Sequence, residues 1–183
     1  MRCPWADSSP AMRKYHDDEW GVPSHDDRHL FEMLILEGGQ AGLSWATILN
    51  RRDGYRRAFA SFDPTRVAAF DDRRLERLRE DTGIIRNRLK IHGARTNAQA
   101  FLRVQAEFGS FDTYLWNWVD GKRIVNHPRD LADLRPTTEL SDRISKDLKR
   151  RGFTFVGSTI VYSLLEAVGV VDDHVAGCPA KRN

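Results

Sequence analysis

A chain of 183 residues with 29 Lys and Arg against 26 Asp and Glu, 40% of it apolar, holds enough hydrophobic matter for one packed core and is too evenly charged to be a disordered polyelectrolyte. The start, Met1-Arg2-Cys3-Pro4-Trp5, lacks an apolar signal region, and the most hydrophobic stretch, 153–171, is broken by Ser158, Thr159, Ser163 and Glu166, so neither secretion nor membrane insertion is expected. The expectation is a cytoplasmic, monomeric domain spanning 1–183, in which Cys3 and Cys178, at opposite ends, form no structural disulfide.

Residues 3–23 are rich in aromatics and turn formers and read as an ordered, irregular arm with at most one short helix. From Asp27 the pattern turns helical: Leu30, Phe31, Leu34 and Ile35 share a face, and Glu37 stands where that helix meets Gly38, Gly39 and Gly42. Ile48, Leu49, Tyr55, Phe59 and Phe62 suggest two short helical pieces around Asp53-Gly54. Asp63-Pro64 is a cap followed by proline at the first helical position, and Asp71-Asp72 caps the next helix. Gly83-Ile84-Ile85 leads into a long helix reaching about Glu107, with Ile85 and Leu89 on its apolar side. Ser110 caps a helix over 111–119. Residues 120–136 form a loop whose only plausible strand is Arg123-Ile124-Val125. Ser141 or Asp142 opens a helix ended by Gly152, and Val156, Ile160, Leu164 and Val168 mark a last core helix closed by Gly169. The architecture predicted from these elements is all-α.

Three constellations could carry chemistry. Cys3, His16, His174 and Cys178 supply two sulfurs and two imidazoles, a set that suits tetrahedral zinc with no open position and would tie the termini together; two buried thiols and two ordinary histidines are the alternative. Trp5, Tyr15, Trp20, Glu37 and Trp45 offer π-faces and one carboxylate, the makings of a nucleobase pocket, or else a core seam with Glu37 at its rim. Gly83-Ile84-Ile85 between two helices, with Arg86, Arg88 and Lys90 beside it, could present backbone N–H groups to phosphate, although a glycine helix cap is an alternative meaning. No P-loop, dinucleotide fingerprint or Ser-His-Asp arrangement occurs.

Several blocks together resemble the DNA-3-methyladenine glycosylase I family: Cys-Pro-Trp at 3–5, Tyr-His-Asp-Asp-Glu-Trp-Gly-Val-Pro at 15–23, the run from Leu30 to Trp45, Phe-Asp-Pro at 62–64, Gly-Ile-Ile-Arg-Asn-Arg-Leu-Lys-Ile at 83–91, the run from Lys149 to Ile160, and Asp-Asp-His at 172–174. The resemblance covers essentially the whole chain in order. It implies a helix-hairpin-helix DNA glycosylase fold in which the terminal segments 1–25 and 170–183 pack together around one structural zinc held by Cys3, His16, His174 and Cys178. The family's base pocket falls on Tyr15, Trp20, Glu37 and Trp45 with Trp5 nearby, and Gly42-Leu43 corresponds to the wedge that fills the gap in the duplex. Two positions depart from the pattern: Met12 stands where some members carry a pocket tyrosine, and Gly39 where some carry a polar residue.

The activity so implied is hydrolysis of the N-glycosidic bond of 3-methyladenine, with 3-methylguanine a further candidate, in double-stranded DNA containing alkylated purines. Methylation at N3 places positive charge on the purine and weakens that bond, so the leaving group needs little protonation. The related glycosylases use an Asp beside the sugar; no such residue is identifiable here by motif. Glu37 is therefore expected to read the flipped base while Tyr15 and Trp45 clamp its faces. The competing reading is a non-catalytic, zinc-containing module that binds DNA or nucleobases.

Overall fold

The computed structural model describes residues 2–181. Its helices are α1 (Pro10–Asp18), α2 (Asp27–Gln40), α3 (Trp45–Leu49), α4 (Arg52–Ala58), α5 (Pro64–Ala68), α6 (Asp72–Leu78), α7 (Arg88–Phe108), α8 (Phe111–Trp116), α9 (Glu139–Arg150) and α10 (Ser158–Ala167). A short 3-10 turn, Pro4–Ser8, precedes α1. Two short strands, β1 (Ile124–Val125) and β2 (Val171–Asp172), pair in parallel with Ile124 opposite Val171. None of the described helices is long and apolar enough to cross a membrane.

The centre of the molecule is α2. Every residue from Leu30 to Gly39 is buried, Glu32 and Glu37 included, because α3, α7, α8 and α10 pack around it. A helix that is apolar nearly all round belongs in a core. Phe31 meets Phe101 of α7 edge-on at 5.1 Å, and Phe101 stacks on Phe111 of α8 at 4.3 Å. The charge on Glu32 is matched by Arg52 of α4, whose guanidinium reaches Glu32 at 2.5 Å and Glu19 at 2.8 Å. That bridge fixes α1, α2 and α4 relative to one another. Asp27 accepts from the backbone N–H groups of Phe111 and Asp112, capping α8 from another helix.

Local signals place most helix starts. Asp63, Asp71 and Ser110 cap α5, α6 and α8 with their side chains. The start of α9 differs from expectation: Thr138 is the cap, in a reciprocal pair with Ser141, which lies inside the helix. The arm at 3–23 holds a full α-helix as well as the 3-10 turn, because Ser9 caps Pro10 just where proline is favoured. Gly38 and Gly39, expected to break α2, lie within it; of the glycines there only Gly42, at φ +79°, takes a left-handed turn. The predicted strand at 123–125 is present, and its partner β2 comes from the segment after α10.

Helices α6 and α7 form a hairpin through residues 79–87. The long helix starts at Arg88, later than Gly83 suggests, with Asn87 as its cap. The hairpin seats on α4 by backbone contact: a Cβ on Gly54 would lie 2.1 Å from the carbonyl oxygen of Gly83. Leu89, assigned by periodicity to the apolar side, is 70% exposed, and Ile91, two residues on, is the first side chain of α7 buried in the core.

Candidate active site and metal centre

The two chain ends meet. Gly21 donates to the Glu166 carbonyl at 2.8 Å, Ser24 to Val168 at 3.0 Å, and the Val175 N–H to the Cys3 sulfur at 3.5 Å. The side-chain donor atoms of Cys3, His16 and Cys178 lie within 4.8 Å of one another, all buried. His174, outside that tight trio, packs edge-on against His16 with ring centroids 4.8 Å apart, and its Nε2 is buried without a hydrogen-bond partner. Each imidazole is oriented by a carboxylate on the other ring nitrogen, His16 Nδ1 by Asp17 at 2.8 Å and His174 Nδ1 by Asp172 at 2.7 Å. His16 Nε2 lies 3.5 Å from the Cys178 sulfur, and a carboxylate on the other nitrogen of an imidazole is a common setting for a metal ligand. Burial pushes the Cys3 thiol up to about 12, and a divalent cation is the charge that would hold it as thiolate. Cys3, His16 and Cys178 are thus close enough to share one ion, and His174, the fourth residue of the set expected from sequence, packs beside His16.

Trp20 links this centre to a cavity. Its ring lies 6.0 Å from His16 and 4.6 Å from His174, and its other side forms part of the cavity wall. The cavity, about 130 Å³, is lined by Trp5, Tyr15, Trp20, Glu37, Gln40, Trp45, Ser163 and Glu166. Every pocket residue expected from sequence is there. Gln40, Ser163 and Glu166 had not been singled out. Ser163 and Glu166 stand among Ile160, Val161, Leu164 and Leu165 in α10, and polar residues three apart on a core helix are the signal that could have found them.

The electrostatics of the cavity are distinctive. Glu37 is 3% exposed, its Oε2 has no hydrogen-bond partner, and burial raises its carboxyl from 4.5 to about 8. The indole Nε1 of Trp45 is likewise buried and unpaired. An acceptor and a donor with no internal partner on one cavity wall are costly to the fold unless a ligand completes them. With its carboxyl raised to about 8, Glu37 holds a proton at pH 7 that a positively charged neighbour would draw off. Burial, followed by the charge of Glu37, also raises Tyr15 well above its usual range, so its hydroxyl stays protonated.

The geometry alters one further expectation. Tyr15 and Trp45 do not face each other across a gap the width of a base; their rings touch, with centroids 5.1 Å apart and planes tilted by 49°. A base would stack on the pair, or separate them on entry. Met12 is buried but lies outside the cavity lining, and Gly39 looks away from it, toward the Tyr55 hydroxyl. The two departures from the family pattern therefore leave the walls of this cavity in place.

At the rim, Gly42 turns the chain and Leu43 projects from it, 40% exposed. The turn is tied down by Lys90, whose ammonium donates to the carbonyls of Gly39 at 2.9 Å and Ala41 at 2.6 Å. Lys90 thus caps the end of α2 and is not part of a charged fringe around Gly83. Arg88 lies 3.5 Å from Glu76, and both it and Arg86 are exposed. The backbone N–H groups of Gly83, Ile84 and Ile85 already donate to the Asp81 side chain, the Asp81 carbonyl and the Tyr55 hydroxyl. In this conformation they stiffen the hairpin and are not open to phosphate.

Comparison with known proteins agrees with this geometry. A family model described as methyladenine glycosylase matches residues 5–182. The chain is 47% identical over 177 residues to DNA-3-methyladenine glycosylase 1 of Escherichia coli strain K12, covering 97% of this chain and 95% of that one. A crystal structure of 3-methyladenine DNA glycosylase I superposes with a TM-score of 0.96 at 46% identity over 100% of both chains. A Staphylococcus aureus structure, described as the structural basis of 3-methyladenine recognition by that enzyme, gives 0.96 at 36% identity, covering 99% of this chain and 96% of the other. On sequence and structure alike, the chain belongs to the methyladenine glycosylase family.

Proposed function

We propose that this protein is a monofunctional DNA-3-methyladenine glycosylase, a cytoplasmic monomer of one domain acting on double-stranded DNA that contains alkylated purines. The observation that carries the reading is the cavity in which Glu37 Oε2 and Trp45 Nε1 stand buried and unpaired among aromatic faces. A purine swung out of the helix supplies ring and exocyclic groups for those two atoms and a flat face for the aromatic walls. In the reaction the C1′–N9 bond breaks with its electron pair leaving on the base. Water adds to C1′, and an abasic site remains. Because a purine methylated at N3 already carries positive charge, the departing base takes up those electrons without a proton from the enzyme. The chain's contribution is to hold the extruded base so that the strained, charge-separating state is bound best.

In this reading Glu37 is the catalytic residue in contact with the base, Tyr15, Trp5, Trp20 and Trp45 shape its seat, and Leu43 on the Gly42 turn fills the gap in the duplex. The hairpin faces the DNA backbone through the exposed Arg86, on a turn stiffened by the internal hydrogen bonds of Gly83, Ile84 and Ile85. A structural zinc held by Cys3, His16, His174 and Cys178 would lock the terminal segments and, through Trp20, one wall of the cavity. With four protein ligands it has no open position, so it takes no part in the chemistry.

The test is incubation of the metal-loaded protein with methylated duplex DNA, followed by chromatography of the released bases. Free 3-methyladenine is the expected product, and the abasic strand stays intact until treated with alkali. A non-catalytic binding module would retain the same DNA and release nothing.

A further inference from the structure

The wall of the cavity opposite α2 is α10, and Ser163 and Glu166, about one turn apart, both line it. The cavity therefore holds two carboxyl groups from different helices. No basic side chain lines it: burial alone raises Glu37, while burial, the nearby carboxylates of Asp173 and Glu37, and a hydrogen bond with Asp173 push Glu166 well above the carboxylate range. Around them stand the rings of Trp5, Tyr15, Trp20 and Trp45, whose π-faces are themselves electron-rich. Glu37 alone could read the edge of a neutral purine. A second carboxyl, with no Lys or Arg in the lining, suits a ligand that favours its ionised form. A flat ligand bearing positive charge does so at both carboxyls and meets the aromatic faces at once.

We propose that Glu166 is a specificity-determining residue of the cavity: with Glu37 it selects purines that carry a positive charge over neutral purines of the same outline. This rests on the glycosylase reading above, since it assigns a role within the same base pocket. The charge on a purine alkylated at a ring nitrogen and still joined to its sugar is what separates it from the undamaged base. A pocket that weighs charge therefore discriminates where shape alone is nearly silent.

The experiment titrates tryptophan fluorescence of the metal-loaded protein with two probes in mildly alkaline buffer. One is 3-methyladenine, the neutral free base; the other is 3,9-dimethyladeninium, a permanent cation in which a methyl group replaces the sugar. Wild-type protein is expected to bind the cation more tightly. Glu166→Gln, which keeps the shape and cannot ionise beside a bound cation, is expected to weaken cation binding by about tenfold and neutral binding by no more than about twofold. Glu166→Ala should weaken the cation at least as much, and unchanged melting of Glu166→Gln shows that its fold is intact. Equal weakening of both probes, or no change in either, overturns the assignment while leaving base release by the wild type untouched. If the wild type binds neither probe and releases no base, the glycosylase reading falls and takes this role with it.

Discussion

Replacing Glu37 by Gln should make the protein more stable, by an amount that grows with pH. The carboxyl is buried and titrates at about 8 in the fold, against 4.5 when exposed. Between those two values the unfolded chain has released this proton and the folded chain has kept it. Stability therefore falls as pH rises from the lower value and levels off above the higher one. At about 1.4 kcal/mol for each tenfold step, the penalty is about 1 kcal/mol at pH 5, about 3 kcal/mol at pH 7 and about 5 kcal/mol at pH 9. Glutamine, close in shape and without a titration, escapes it. For a chain of this size 3 kcal/mol corresponds to roughly 6–12 °C in melting temperature. The assay is calorimetric melting of the metal-loaded wild type and Glu37→Gln across that range. Melting curves that stay parallel at all pH values, or converge as pH rises, would refute the argument that burial without a partner sets the state of Glu37.

Other parts of the structure give sharper local tests. Chelation, or Cys178→Ser, should remove one zinc per chain by elemental analysis and lower stability by at least about 3 kcal/mol, because loss of the ion leaves two buried cysteines and two buried imidazoles without their common partner. Gly54→Ala places a methyl group 2.1 Å from the Gly83 carbonyl oxygen; denaturant melts should show a loss of about 2–4 kcal/mol, with weaker DNA binding as the hairpin shifts. Leu43→Ala should leave melting unchanged, since the side chain is 40% exposed, while lowering base release from duplex DNA by about tenfold and sparing binding of the free base to the cavity.

How much of this was legible in the sequence follows from what each residue depends on. Caps at Asp63, Asp71 and Ser110 act on their own first turns, so local pattern found them. The Cys and His residues near the two termini and the residues Trp5, Tyr15, Trp20, Glu37 and Trp45 stand out because unusual residue types cluster; the fold brings Cys3, His16 and Cys178 together with His174 beside them, and the five others into one cavity lining. What escaped was set by tertiary contact. Lys90 reads as one more cation near a glycine turn, yet it is bound to the carbonyls ending α2 because α7 passes beside them. Gly38 and Gly39 read as helix breakers and stay helical because neighbouring helices pack on all sides. Glu166 looked only like an interruption in a hydrophobic run until α10 was seen to wall the cavity. The protonation of Glu37 depends on depth of burial, which one chain's order of residues does not encode.

The central claim is that one cavity, through Glu37, performs the reaction. Its most direct test is the rate at which 3-methyladenine is released from methylated duplex DNA by Glu37→Gln relative to the wild type, with zinc content and melting showing both proteins intact. The account predicts release by the wild type and a rate reduced by about a hundredfold in the variant. Release by the variant at the wild-type rate would contradict it.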